Sequence, residues 1–178
     1  MPHFVPTSYS EFEAERDVIK LAKTYKGRQW FPKLQSFAIE CCQPLLDYFS
    51  DESRQSIETA RRFVAGSATK AELNAAFKVA TDVVNAAVTI EGNTTYYNKP
   101  LERSLAEAAL ACTYHTEHSA IYATTHSLEA HVQINYEELI AAGTQESEAL
   151  ILTRQFRMTM NDQQTTLLRQ MVGNPFPG

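Results

Sequence analysis

The sequence predicts an all-α protein, an irregular bundle of six or seven helices. Three observations predict this class. Only 6 residues are glycine and 7 are proline, and most of them lie between long uninterrupted segments. Within those segments the apolar residues recur every three or four positions, as on one face of a helix. No segment has the strict apolar and polar alternation that is typical of a strand.

Length and composition indicate a single domain over residues 1–178. The apolar fraction is 44%, enough to bury one core without disulfides or a structural metal. A net charge of −5 argues against a phosphate-tracking surface, so we expect no nucleic-acid partner. There is neither a signal-peptide pattern nor a long apolar run. We therefore expect a cytoplasmic protein with no membrane partner, and its oligomeric state stays open.

Two helices are predicted in the first fifty residues. Ser10 and Glu13 have the spacing of a capping box, and the first helix then runs to Gly27. The second begins after Pro32 and has a strongly apolar face. Because a proline removes a helical hydrogen bond, Pro44 should bend or split this second helix.

The next two helices have clearer boundaries. Ser50 precedes two acidic residues and begins the third helix, and Gly66 suits a left-handed residue after its end. Thr69 and Glu72 form a second capping box. The fourth helix then continues with a regular apolar period to Gly92.

A polar loop is predicted at 93–99, and Pro100 suits the first position of the helix that follows. Between 101 and 133 the chain has neither glycine nor proline. It therefore forms either one long helix or two helices that meet near Thr124 and Thr125.

The last part of the chain predicts a further helical turn and a final helix. The turn, at 136–142, ends at Gly143, and Thr144 begins the final helix. Gly173 suits the end of that helix, and the proline two residues later prevents its continuation.

Two parts of the chain carry motifs that occur together. One runs from Leu34-Gln35-Ser36-Phe37-Ala38-Ile39-Glu40-Cys41-Cys42 through Asp51-Glu52-Ser53-Arg54, and the other is Gly173-Asn174-Pro175-Phe176. Together they resemble an uncharacterised family of bacterial helical proteins with a Leu-x-x-Phe-Ala-x-x-Cys-Cys helix and a Gly-Asn-Pro-Phe segment. The resemblance implies a helical fold, but it implies no activity and no catalytic residue.

Histidines are concentrated in one segment. On a continuous helix, a face within an arc of roughly 80° would carry His115, His118, Tyr122, His126 and Glu129. His131 would lie on the opposite side. Cys112 precedes His115 by three residues, which is a spacing that can present two donors to one ion.

This face has two interpretations. The first is a metal site of His115, His118, His126, Cys112 and Glu129 for zinc or iron, completed by a thiolate of the second helix. It would make the protein a metal-binding bundle or a metal-dependent hydrolase. The second, which we favour, is an ordinary surface helix, because such helices commonly carry His, Tyr and Glu and the sequence has no second recognised ligand pair. The missing Glu-x-x-His signature separately argues against a di-iron site.

Three cysteines without a secretion signal predict reduced thiols rather than a disulfide framework. Cys41 and Cys42 lie on an apolar helix, where a cysteine behaves as a small apolar residue. We therefore assign both to core packing.

No catalytic motif is present, neither a Gly-x-Ser-x-Gly elbow nor a glycine-rich phosphate loop. We therefore expect a non-catalytic protein that binds an unknown protein partner, as an adaptor or an accessory subunit. Aromatic residues in predicted loops and ends are its candidate contacts: Trp30, Phe31, Tyr96, Tyr97 and Phe176. The alternative is that each of them folds back onto the end of the bundle.

The sequence of the tail, residues 173–176, predicts a structural latch, which is a segment that folds back and packs on the bundle. Asn174 before Pro175 is biased to an extended conformation, and the proline stops the helix, so Phe176 must turn sideways. We expect this ring to pack on the body of the bundle near the second helix.

Overall fold

The computed structural model describes residues 5–87, 89–91, 94–96 and 100–176. These residues form eight α-helices, two 3-10 segments and one β-hairpin. The α-helices are α1 (Tyr9–Ala14), α2 (Val18–Ala22), α3 (Phe31–Cys42), α4 (Asp51–Val64), α5 (Lys70–Ala86), α6 (Pro100–Thr113), α7 (His118–Ala141) and α8 (Glu146–Val172). The 3-10 segments are Arg28–Trp30 and Gln43–Tyr48, and β1 (Thr89–Glu91) pairs antiparallel with β2 (Thr94–Tyr96).

The predicted all-α bundle is confirmed. α6 and α7 pack along each other, α3 crosses both, the α4–α5 hairpin covers α6, and α8 lies against α3 and α7. One core cluster joins α3, α4, α5, α6 and α7, and a second joins α1, α2, α3, α7 and α8. α3 therefore contributes to both halves of the core. Within the described part of the chain, no helix has the length and apolarity needed to span a membrane.

Two of the predicted helix starts are confirmed by their caps. The Ser50 hydroxyl accepts from the backbone N–H of Ser53 at 3.2 Å. Thr69 and Glu72 form the reciprocal capping box at the start of α5. Pro44 also acts as predicted, since α3 ends at Cys42 and the chain continues as a 3-10 segment.

The first predicted helix is divided into two short helices, α1 and α2, and the N-cap predicted at Ser10 is wrong. Ser8, not Ser10, is the N-cap of α1, because its hydroxyl accepts from the backbone N–H of Glu11 at 3.4 Å while the Glu11 carboxylate accepts from Thr7. Asp17 accepts from two backbone N–H groups and begins α2. Such side-chain bonds to the backbone compete with helix continuation, which explains the interruption between α1 and α2.

The fourth helix is shorter than predicted, because α5 ends at Ala86 instead of reaching Gly92. Thr89 and Ile90 are β-branched and lie in β1, where such residues are favoured. The predicted loop at 93–99 contains β2, and residues 93 and 97–99 lie outside the described part of the chain. The final helix starts at Glu146, two residues after the predicted start.

The predicted long helix is interrupted, but at 114–117 rather than near Thr124 and Thr125, which lie inside α7. A local contact and a tertiary contact both lie at the break, and in the local one the Thr116 hydroxyl accepts from the backbone N–H of His118 at 3.2 Å. Gln35 of α3 is fully buried and donates to the carbonyl of Cys112, in the last turn of α6, at 2.9 Å. The turn predicted at 136–142 is the continuation of α7.

The tail packs as the latch prediction requires. The Phe176 ring contacts the Phe12 ring edge to face, with 6.2 Å between centroids, in the cluster that also contains Leu34 and Phe37 of α3. The Tyr25 hydroxyl donates to the carbonyl of Gly173 at 2.6 Å. The Phe176 ring therefore contacts α1, Tyr25 bonds the tail from the segment after α2, and Lys33 of α3 donates to the carbonyl of Val172 next to it.

The latch generates a stability prediction. Phe176→Ala should lower the free energy of unfolding by about 1–2 kcal/mol, because the ring is half-buried and leaves the Phe12 face uncovered. At this chain length the midpoint of thermal unfolding should fall by about 2–8 °C. Tyr48→Ala, which removes an exposed aromatic side chain elsewhere, is the matched control and should change it much less. Equal midpoints for the two variants would contradict the latch.

Candidate functional site

The structure does not bring the five predicted metal ligands together. Cys112 belongs to α6, His115 lies in the link, and His118 is the first residue of α7, so the assumption of one continuous helix fails. Among the described residues, no group of three or more His, Cys, Asp or Glu side chains is placed to share an ion. The zinc or iron site stays a prediction that no observed contact favours.

Three of those residues have other partners. His115 Nδ1 is 3.0 Å from the Gln35 Oε1, and its ring is nearly perpendicular to the rings of Phe31 and Phe63, which it contacts. His126 Nδ1 lies 2.8 Å from a carboxylate oxygen of Glu107. Glu129 accepts two hydrogen bonds from Arg157 of α8, at 2.7 and 2.6 Å. These contacts join α3 to the link between α6 and α7, α6 to α7, and α7 to α8.

The predicted interaction aromatics that can be placed fold back onto the bundle. Trp30 packs edge to face on Tyr25 with 5.3 Å between centroids. Phe31 contacts the ring of His115 at 5.8 Å, and Phe176 is the latch. All three are half-buried. Tyr97 and the side chain of Tyr96 lie outside the described part of the structure.

The three cysteines are buried free thiols, as predicted. Cys42 and Cys112 lie at the crossing of α3 and α6, with 3.5 Å between their sulfur atoms. The hydrogen bond with Cys42, together with burial, raises the pKa of Cys112. Burial also raises the pKa of Cys41. The reactive thiolate is therefore disfavoured at both positions.

We expect the native protein to resist thiol modification at neutral pH. Iodoacetamide should label none of the three cysteines on a timescale that modifies an exposed cysteine fully, because all three are buried. Mass spectrometry with and without urea measures this, since the unfolded chain should take up three labels. Rapid labelling of Cys41 in the folded chain would show that the region around α3 opens.

Glu107 joins α6 to α7. Burial alone would raise the pKa of its carboxyl group, but the hydrogen bond from His126 and the contact with Arg103 outweigh burial and lower the pKa. A carboxyl group whose pKa is lowered by folding stabilises the folded state at pH values above the pKa that the group has in the unfolded chain. This contribution is lost as the pH falls through the folded value.

The pH dependence of unfolding checks this contact. Glu107→Gln should cost about 1 kcal/mol at pH 7. The difference from the wild type should shrink below about pH 4.3, the ordinary pKa of a glutamate. Urea unfolding at several pH values measures it. Glu58→Gln, in an exposed pair with Arg61, is the control and should show a much smaller difference. A gap that stays constant down to pH 3 would contradict the assignment.

A cavity of about 540 Å³ lies between the end of α3, the middle of α7 and the C-terminal half of α8. Its volume suits a small organic molecule. It is lined by Glu40, Cys41, Pro44, His131, Thr159, Met160, Asp162, Gln163, Gln164, Thr166, Leu167 and Gln170. Sequence reasoning missed this cavity, because its walls come from three segments that no local pattern connects.

Two polar side chains of the cavity have buried atoms without partners. Gln164 is only 4% exposed, and its Nε2 donates to the Ser127 hydroxyl at 3.0 Å. Its Oε1 is buried and accepts no hydrogen bond from any described residue. The Nε2 of His131 is likewise buried and unpaired, and burial lowers the pKa of this imidazole. Both atoms are buried from solvent, so they are unsatisfied polar groups of the interior beside the cavity and not contacts exposed on its wall.

The charged residues of the cavity are all acidic. Glu40 and Asp162 line it and are exposed, and neither forms an ion pair with a described residue. No lysine or arginine is among the lining residues. The cavity therefore favours neutral and cationic groups over anions.

A second unusual surface lies on the N-terminal half of α8. Leu150, Ile151 and Leu152 are consecutive and exposed, and Ile151 is 61% accessible. Met158, two helical turns after Ile151 and on the same face, is 65% accessible. We call these four residues the α8 apolar surface. Sequence reasoning placed the start and end of this helix but did not predict that these residues are exposed.

The fold and these two features define an all-α bundle with a partly polar cavity and an exposed apolar helix surface. Comparison of the chain with models of protein families, with curated proteins and with solved structures gives no match. The resemblance of the Cys-Cys and Gly-Asn-Pro-Phe segments to bacterial helical proteins therefore stays a prediction.

Proposed function

We propose that this protein acts by binding a protein partner through the α8 apolar surface, as a non-catalytic adaptor or accessory subunit. The observation that carries the proposal is the run Leu150-Ile151-Leu152, exposed on a helix whose opposite side is buried. Ile151 and Met158 share the outer side of the helix, and Leu150 and Leu152 lie about 100° to either side of Ile151. Exposed apolar residues grouped in this way are typical of an interaction site.

Charge around this surface specifies the partner. Glu146 and Glu148 are exposed in the first turn of α8, one turn before the surface. Of the basic residues in the first half of α8, Arg154 is exposed and Arg157 is paired with Glu129 of α7. An apolar strip with an acidic border fits an amphipathic helix with an apolar face and flanking lysines or arginines. The partner we propose is therefore a protein with such a basic helix.

Other parts of the molecule contribute less to this proposal. Of the aromatic residues predicted as contacts, Trp30, Phe31 and Phe176 are engaged within the bundle. No contact of the described residues favours the metal-dependent hydrolase, and we do not propose it. The α8 apolar surface thus replaces the aromatic ends as the candidate interface.

Crosslinking followed by reconstitution tests the proposal. A photoreactive amino acid at position 151, in cells that naturally make the protein, should form one discrete adduct with a protein that carries a basic amphipathic helix. The same amino acid at Lys78, exposed on α5, should not. The purified partner should bind the wild type, and Ile151→Glu should weaken binding by about tenfold or more.

A matched variant separates binding from folding. Val79→Glu also replaces an exposed apolar residue, on α5, and should leave partner affinity unchanged. Both substitutions should change the free energy of unfolding by less than about 0.5 kcal/mol, because both positions are exposed. Equal affinity of Ile151→Glu and the wild type would refute the proposal, and so would an adduct formed only with a second copy of this chain.

A further inference from the structure

A groove borders the α8 apolar surface on one side. It lies between the start of α6, the C-terminal part of α7 and the first half of α8, and its volume is about 330 Å³. Leu150 belongs to both features, because it lines the groove and is 56% exposed. A helix that packs on Leu150 and Ile151 therefore also covers the mouth of the groove.

We propose that the protein partner inserts one aromatic side chain of its basic helix, a phenylalanine or a tryptophan, into this groove. The inference rests on the proposed function, because it specifies how the same partner is held at the same surface. Its support is the continuity of the groove with the α8 apolar surface, the chemistry of the groove walls and the charge at the groove edge. Binding energy at protein interfaces is typically concentrated in a few such anchors.

The apolar part of the walls suits an aromatic ring. Val132 and Tyr136 lie one turn apart on α7 and line the groove together with Leu150 of α8. The same side of α7 continues one turn further to Ile140, which is 40% exposed. Two aromatic rings in contact attract each other by more than the apolar area that they bury. A ring inserted beside Tyr136 therefore gains more than an aliphatic side chain of similar size.

The polar part of the walls favours an apolar occupant as well. Three polar side chains of the lining already have hydrogen-bond partners within the bundle, in the pairs Glu129 with Arg157, Gln133 with Glu137, and Thr153 with Asn135. A polar group inserted here competes with those bonds, whereas an apolar side chain leaves them intact. The groove is therefore suited to a side chain that needs no new hydrogen bond.

The charge at the groove edge specifies the neighbour of the anchor. Glu137 is exposed, and its hydrogen bond with Gln133, at 3.2 Å, places its carboxylate on the α7 side of the groove. Among the described residues that line the groove there is no lysine or arginine. A lysine or arginine one turn from the aromatic anchor meets this carboxylate. The partner helix therefore carries an aromatic residue and a basic residue on one face.

Nuclear Overhauser effects in the complex test the anchor directly. The probe is the purified partner that is captured through position 151, added to the full chain with labelled methyl groups. The methyl protons of Val132 and Leu150 should show intermolecular effects to the ring protons of one aromatic residue of the partner. Those of Val79, exposed on α5, should show none. Changing that aromatic residue of the partner to alanine should weaken binding by about tenfold or more.

Variants that alter the groove give a second readout, the affinity measured by isothermal titration. Ser104→Trp fills the groove from the side of α6, so the same partner should bind about tenfold or more weakly. Thr81→Trp is the matched control, because Thr81 is also half-buried on a helix but lies on α5, and it should bind like the wild type. Val132→Ala removes part of the wall and should weaken binding by about threefold. This milder change serves if Ser104→Trp does not fold.

The outcomes separate this inference from the proposed function. A partner that depends on Ile151 but places no aromatic ring beside Val132 overturns the anchor and leaves the proposed function intact. The same holds if the groove variants that fold bind that partner as tightly as the wild type. If no partner is captured at position 151, or if Ile151→Glu binds as tightly as the wild type, the proposed function fails and the anchor fails with it.

Discussion

A single buried amide organises the centre of the bundle. Gln35, in the middle of α3, donates to the carbonyl of Cys112 and lies against the Nδ1 of His115. The carbonyls of the last helical turn have no partner within their own helix, and Gln35 satisfies one of them. Since its Nε2 is used in this way, its Oε1 accepts from His115, whose pKa is lowered by burial and by Lys70. The end of α6, the link and the start of α7 are therefore positioned from α3.

Small side chains make this arrangement sterically feasible. Ala38 and Cys42 of α3 face Ala108 and Cys112 of α6, and all four are fully buried. Helices that meet through alanine and cysteine approach closely, so the hydrogen bond of Gln35 can span the gap. α7 continues the same pattern, because most of its buried residues are Ala, Ser or Thr. The centre of the fold is thus held by close backbone packing and by a few buried polar bonds.

The use of small buried side chains also explains why α8 borders the cavity and carries the α8 apolar surface. Its buried positions are largely small or polar, among them Ala149, Thr153, Gln164 and Thr165. Such residues fill less space than leucine or phenylalanine, and they leave the cavity beside α3 and α7. The large apolar residues of the N-terminal half, such as Ile151, are left on the outer side. A helix that packs through its small side chains leaves its large apolar side chains exposed, where a partner can bind them.

Local chemistry determined much of the secondary structure. The caps at Ser50 and Thr69, the split at Pro44 and the reduced, buried cysteines follow from hydrogen bonds and burial preferences that act over a few residues. The all-α class follows in the same way from the helical period. The tertiary structure added the contact of Gln35, far away in the chain, to the break that Thr116 marks locally in the long segment after Pro100. It also decided which side of α8 is buried and where the cavity forms, because both depend on how three distant helices fill space against one another.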